Sequence, residues 1–194
     1  MIPRPDDLAR VVQSVVTAPA RLGRTRLVCI DGPAGSGKTT VAGLLAEQLD
    51  ASGRSVAVVH MDDLYEGWTG LSSAEERVRE WLVDPLSDGR EAAYRRYDWD
   101  SGAYAERHTV PPVDVLVLEG VGSGCIDHAD RTTLLLWVEA PTELRLERGL
   151  ERDGVALEDH FRRWMVEEER FHAQDRTRER ADVRVDGATG QLAS

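Results

Sequence analysis

The stretch RLVCIDGPAGSGKTTVAGLLAEQLDASG, Arg26 to Gly53, decides the architecture. Its first six residues read as a short apolar strand, and TTVAGLLAEQLDASG reads as a helix stopped near Gly53. Between them GPAGSGKT, Gly32 to Thr39, satisfies the pattern G-x-x-x-x-G-K-[ST] in the strand-turn-helix setting that gives the pattern its meaning. The turn formed by Gly32, Pro33, Ala34, Gly35 and Ser36, then Gly37, Lys38, Thr39 and Thr40, is therefore expected to wrap a polyphosphate. Its glycines let amides turn inward, the helix N-terminus adds its dipole, Lys38 reaches the terminal phosphates and Thr39 offers a hydroxyl to Mg²⁺.

Lys38 is the only lysine in a chain of 194 residues that otherwise uses arginine for every basic position. A slim stem delivers a point charge into a narrow loop, whereas a planar guanidinium is bulkier and built for forked contacts. The exception falls where phosphate chemistry requires it.

Further apolar runs follow at SVAVVHM, VDVLVLEG, TTLLLWVEA and ADVRVDG, separated by helical stretches. Continuous apolar strands of this kind suit a parallel sheet covered on both faces. The expected fold class is α/β: a three-layer sandwich of the P-loop NTPase type, with a five-stranded parallel sheet and a helical lid. One domain is expected over 1–194, with an N-terminal amphipathic helix at 6–16, an insert at about 64–110 and a lid at about 145–172. In LSSAEERVREWLVDPL, Ser73 and Glu76 have capping-box spacing, and the aromatic, polar stretch YRRYDWDSGAYAERHTV after it shows only weak regular structure.

A formal net charge of −11 argues against a nucleic-acid backbone or an anionic membrane as partner. No run approaches the eighteen apolar residues of a membrane span, and MIPRPDDLARVVQ has acids where a signal peptide needs its apolar core, so the expected location is cytoplasmic. Two cysteines match no metal-ligand spacing, and Cys29 is expected to be buried and reduced.

Three further groups point to chemistry. VLVLEG ends in Glu119, where a strand-end carboxylate would hold or orient Mg²⁺. HMDDLY places two carboxylates at the end of the second strand; either Asp62 or Asp63 could accept a proton from a phosphoryl acceptor, and spacing alone does not choose. Arg145, Arg148 and Arg152 recur along one helix face, so that they could close over a transferring phosphoryl group and reach the acceptor, or simply pair with Glu147 and Glu151. Trp68, Trp81, Tyr94, Tyr97, Trp99 and Tyr104 concentrate the aromatics in one region, some as a substrate cleft and Trp81 as core. Among the histidines only His108 stands out.

Taken together these residues resemble the uridine kinase and phosphoribulokinase family of P-loop kinases from about residue 26 to 187. GSGKTT resembles the family turn, MDDLY its Q-D-S-F-Y segment, YDW its Y-D-F, VLVLEG its V-V-L-F-E-G, RLERGLERD its R-L-x-R-R-x-x-R-D and TRERADVRVDG its T-K-K-Y-A-D-V-I-I. The resemblance implies ATP as phosphoryl donor with Mg²⁺, Asp62 as catalytic base, Arg152 as the arginine that meets the transition state, and Tyr65, Tyr97 and Trp99 around a nucleoside. Gly149, Gly102 and Leu64 depart from it, standing where the family has an arginine, a histidine and a phenylalanine. Arg162 or Arg163 is a candidate to make up for an arginine missing from the lid loop GVALED.

The expected activity is transfer of the γ-phosphoryl group of ATP to a hydroxyl of a small molecule, most simply a nucleoside. Other acceptors, such as a sugar, a pantothenate-like or antibiotic alcohol, or a nucleotide, fit the same residues, as does a non-catalytic ATP-binding regulatory module. A guanine-specific switch does not, since the N-K-x-D segment needs an asparagine and the chain has none.

Overall fold

The computed structural model describes residues 3–193; the first two residues and the last of the expected 1–194 domain lie outside the described residues. Helix α1 (Pro5–Thr17) precedes strand β1 (Arg26–Asp31), the glycine-rich turn and helix α2 (Lys38–Ala51). Strands β2 (Val56–His60), β5 (Val115–Glu119), β6 (Thr132–Glu139) and β7 (Val183–Asp186) join β1 in one sheet of order β2-β5-β1-β6-β7, all parallel. This is the expected five-stranded parallel sheet. The two-residue strand β8 (Leu192–Ala193) adds antiparallel to β7 and covers that edge.

The central strands are apolar on both faces because both faces are covered. From β1, Leu27 and Cys29 enter one core with Leu116 and Leu118 of β5. Val28 and Ile30 enter the other with Val115 and Val117. That second core is closed by Leu8, Val11 and Val15 of α1 and by Val41, Ala42, Leu45 and Leu49 of α2. The first is closed by the segment between β2 and β5 and by Trp164 of helix α6 (Glu158–Asp175). Two helical layers and a sheet result, as the nearly unbroken burial of adjacent residues along the central strands requires.

The segment between β2 and β5 departs from expectation in two places. Helix α3 (Leu71–Val78) starts at Gly70, so Ser73 lies inside the first turn, with its hydroxyl on the Gly70 carbonyl and no reciprocal bond from Glu76. The capping box is absent because the chain already turns at Gly67–Thr69. The helix then widens to a π turn over Arg79–Val83 before the short α4 (Asp84–Ser87), where Pro85 lacks the N–H that would continue a regular ladder.

The stretch expected to have weak regular structure is an antiparallel hairpin, β3 (Ala92–Asp98) with β4 (Ala103–Val110). Its register shifts between Arg95 and Tyr97, so that Ala92, Tyr94 and Tyr97 are all buried although the last is out of phase with the first two. A bulge of this kind erases the alternation by which a strand is recognised.

Helix α5 (Thr142–Asp153) and α6 pack against each other, joined by a turn at Val155–Leu157, and α7 (Thr177–Arg180) leads into β7. Among the described residues no helix is long and apolar enough to cross a membrane. Cys29 is buried and free, as expected, and so is Cys125.

Leu45 is fully buried between α2 and the sheet. Leu45→Ala is expected to cost about 2–5 kcal/mol, the range for a buried leucine that leaves a cavity, read from the midpoint of urea unfolding.

Candidate active site

The carboxyl ends of β1, β2 and β5 meet at the glycine-rich turn, as ligand sites in parallel sheets do. A cleft of about 970 Å³ opens there, lined by the turn, the residues after β2 and β5, the tip of the hairpin and the facing sides of α5 and α6.

The turn itself is held from below. Asp31 closes β1 fully buried, and its carboxylate accepts the amides of Gly32 (2.6 Å), Gly122 (3.0 Å) and Gly124 (2.8 Å) and the ring nitrogen Nε2 of His172 (3.0 Å). Burial alone would raise its pKa, but the His172 charge and hydrogen bond, with the amides of Gly124 and Gly32, outweigh it and hold the carboxyl below the usual value. One helical turn earlier, the buried Glu168 accepts the amide of Ala34 (2.8 Å) and an Arg145 N–H (2.8 Å). Burial pushes the Glu168 carboxyl up, against the Ala34 amide and the charges of Lys38 and Arg145. Gly35 sits at φ +77°, and a Cβ there would lie 2.4 Å from the Arg145 carbonyl oxygen, so only glycine fits this approach to α5.

Lys38 is buried and its Nζ donates to the Pro33 carbonyl (3.0 Å), lying across the mouth of the turn. The Ser36 hydroxyl is buried with no partner. A lysine satisfied only by its own loop, and amides of Gly35, Gly37 and Lys38 that bond to no protein group among the described residues, fit a bound polyphosphate. Thr39 Oγ1 donates to Glu119 Oε1 (3.2 Å), so the hydroxyl and the carboxylate expected to share a cation are already in contact. An oxygen donor pair of this kind suits Mg²⁺. Thr40 lies beyond them on the exposed side of α2.

His60 Nδ1 also meets Glu119 Oε1, at 2.5 Å, and this hydrogen bond raises the imidazole pKa. Sequence reading singled out His108 instead. That residue stacks on Tyr94 at the hairpin, outside the cleft lining. His60 was legible only as a strand-end residue before two aspartates.

The structure separates the two aspartates that spacing left equal. Asp62 faces the cleft; solvent in the cleft reaches it although protein walls surround it. Those walls and then the Glu119 charge raise its pKa, while Lys38 and Arg152 act the other way. Asp63 also borders the cleft but lies against the hairpin, where Tyr94 Oη donates to it at 3.4 Å.

The arginine row of α5 does not pair with Glu147 or Glu151. Arg145 binds Glu168 and the Ala34 carbonyl, and Arg148 donates to the carbonyls of Gly35 (3.3 Å) and Gly187 (3.2 Å). Arg152 lines the cleft and is paired with Asp153 (2.7 Å). Arg162 and Arg163 are exposed and pair with Glu158 and His160, so neither replaces the missing lid arginine in this conformation. No side chain fits at 149: a Cβ on Gly149 would lie 2.5 Å from the Phe161 ring, which fills that part of the wall.

Of the expected acceptor residues, Tyr65 and Trp99 line the cleft with Trp68, Trp164 and Phe161. Tyr65 is buried with its hydroxyl on the Val121 carbonyl (2.6 Å), leaving its ring as the contact surface. Trp99 Nε1 donates to the Asp62 carbonyl (3.0 Å), fastening the hairpin tip to the turn that carries the aspartate. Tyr97 stands behind it, its ring edge-on to Trp99 at 5.6 Å, and is not part of the lining. Trp81, partly buried against the core, packs on Tyr104.

The family model described as an AAA domain matches residues 28–172. A uridine kinase of Macrococcus caseolyticus is 25% identical over 197 residues, covering 89% of this chain and 93% of that one. A cytidylate kinase of Methanopyrus kandleri is 30% identical over 145 residues, covering 71% and 67%. A Bacillus stearothermophilus structure described as a possible uridine kinase superposes with a TM-score of 0.66 over 93% of this chain and 98% of that one at 21% identity, a likeness of fold. The chain belongs to the AAA-domain family so matched, and within it to the P-loop kinases of uridine kinase and phosphoribulokinase type. It is a small-molecule kinase.

The Asp31–His172 pair carries an acid dependence whose sign follows from the direction of the shift. Because the folded carboxyl titrates below its ordinary 3.8, it contributes stability above that value and loses it as pH falls through the lower folded value. His172→Ala is expected to cost about 3–5 kcal/mol, the range for leaving a buried charge without its partner. Acid unfolding followed by circular dichroism should then begin at higher pH than in the wild type.

Proposed function

We propose that the protein transfers the γ-phosphoryl group of ATP to a hydroxyl of a small molecule, a nucleoside in the simplest case. The observation that carries this reading is Asp62: a carboxylate open to the cleft, with no basic side chain of its own, set in the field of Lys38 and Arg152.

In this reading the turn from Gly32 to Thr40 wraps the triphosphate through the amides of Gly35 and of Gly37 onward, those of Gly32, Ala34 and Ser36 being held by Asp31, Glu168 and Pro33; the ammonium of Lys38 joins them, and Thr39 with Glu119 holds Mg²⁺. The cation supplies charge neutralisation between the phosphates when bound. Asp62 accepts the proton of the acceptor hydroxyl as its oxygen attacks, and burial, by raising the basicity of that carboxylate, favours the task. Lys38 and Arg152 offset the charge spreading onto the equatorial oxygens. Arg152 would exchange its exposed bond to Asp153 for the phosphoryl group, whereas Arg148 steadies the turn through Gly35 and contacts the acceptor side only on closure. Tyr65 and Trp99 offer ring surface to the acceptor, and Tyr97 supports Trp99.

The fastening of Glu168 to the turn and of His172 to Asp31 at the end of β1 confines any lid movement to the part of 145–172 around the Gly154 turn. Water excluded by that closure would otherwise compete with the acceptor.

Asp62→Asn should lower turnover by about 10²–10⁴, the contribution of a general base, while Mg·ATP affinity measured by calorimetry is retained. An Asn variant with full turnover would remove the base assignment.

A further inference from the structure

The cleft lining holds three permanently cationic side chains, Lys38, Arg148 and Arg152, against five carboxylates. The cations are not evenly spread. Lys38 and Arg148 are bonded to carbonyls of the glycine-rich turn, and Arg152 stands on α5 facing the same end. Lys38 and Arg152 serve the phosphoryl side, and Arg148 is held at the turn by the carbonyls of Gly35 and Gly187.

The opposite end is built from Trp68, Trp99, Trp164 and Tyr65 together with Asp63 and Asp100. The rings form one connected surface, with Trp68 edge-on to Trp99 at 5.3 Å and to Trp164 at 6.1 Å, and Tyr65 edge-on to Trp164 at 4.9 Å. Aromatic faces present negative charge and attract cations. Most carboxylates around this region are neutralised: Asp98 and Glu106 by Arg96, and Glu66 by Arg77. Asp63 and Asp100 are different. Among the described residues neither has a basic group within ion-pair distance; of the groups whose charge reaches Asp63, His60 is bonded to Glu119, and Arg96 and His108 are engaged by Glu106.

We infer that the acceptor end of the cleft is a charge filter, in which Asp63 and Asp100 with the ring surface admit neutral or cationic alcohols and reject acceptors carrying phosphate or carboxylate. The inference rests on the phosphoryl-transfer reading and adds to it the chemical class of the acceptor. With Mg·ATP in place the turn's cations are committed to phosphates. An anionic acceptor then meets two unpaired carboxylates and electron-rich rings, in a concave site where low-dielectric walls focus the field. Among the described residues that end of the cleft lining carries no arginine or lysine, and Arg148 is bonded to the turn; the Phe161 ring occupies the space at Gly149 from which an additional cationic side chain on α5 would project.

The test compares acceptors that differ only in charge at one position and measures ADP release at pH 7. One set is uridine, 3′-amino-3′-deoxyuridine and uridine 3′-monophosphate, all with a free 5′-hydroxyl; the other is glycerol, 3-amino-1,2-propanediol and glycerate, which differ at one terminal carbon. The neutral and amine members are expected to exceed the anionic member in kcat/KM by at least about tenfold, equivalent to about 1.4 kcal/mol. The ratio should shrink as ionic strength rises, as screening of a charge effect requires. In Asp63→Asn/Asp100→Asn the ratio should fall by about tenfold, through gain on the anionic substrate. The salt series on the wild type gives the answer even if that variant does not fold. An anionic member equal to or better than its neutral partner, with ADP still released, overturns the charge filter and leaves the kinase reading standing. No ADP with any acceptor, while Mg·ATP binds, brings down the kinase reading and the filter with it.

Discussion

Four donors converge on one buried carboxylate, and the site exists because they do. Asp31 takes the first amide of the glycine-rich turn, two amides of the loop after β5 and a ring nitrogen from α6. Three chain segments far apart in sequence are thereby fixed to the end of the central strand. A buried carboxylate without such partners would be strongly destabilising, so the arrangement is all or nothing. Glu168 repeats the device one turn away, gripping Ala34 and Arg145. The turn is thus preorganised by its supports, and its outward amides are left for a ligand.

Preorganisation beneath the turn contrasts with the openness above it. Lys38 has a single loop carbonyl and the Asp62 carboxylate no hydrogen-bond partner among the described residues, and both line the cleft. Unfinished bonding of this kind concentrates where a substrate completes it. The hairpin contributes by carrying Trp99 onto the backbone of Asp62, so that the wall of the acceptor end and the aspartate move together.

The turn, the five parallel strands and their flanking helices were legible in the sequence because each rests on a local signal: a fixed spacing of glycines and lysine, or an uninterrupted apolar run. Thr39 and Glu119 were legible for the same reason, one by motif and one by its place at a strand end. The hairpin was not, because the bulge after Arg95 puts Tyr97 out of phase with Tyr94. The capping-box spacing at Ser73 misled because Gly70 had already begun the helix. Glu168 and His172 were missed although a signal existed. They fall with Phe161, Trp164 and Asp175 on the one buried stripe of α6, and acids or histidines on a buried stripe must have partners elsewhere in the fold. The partners themselves, Asp31 and Ala34, are more than a hundred residues away and no spacing rule reaches them.

The tryptophans have an optical consequence. Three of the five, Trp68, Trp99 and Trp164, stand in the wall of the cleft within contact of one another, and only Trp81 and Trp137 lie elsewhere. An acceptor entering the cleft therefore alters the surroundings of three of the protein's five indoles, and the chain carries its own luminescent gauge of what comes and goes there.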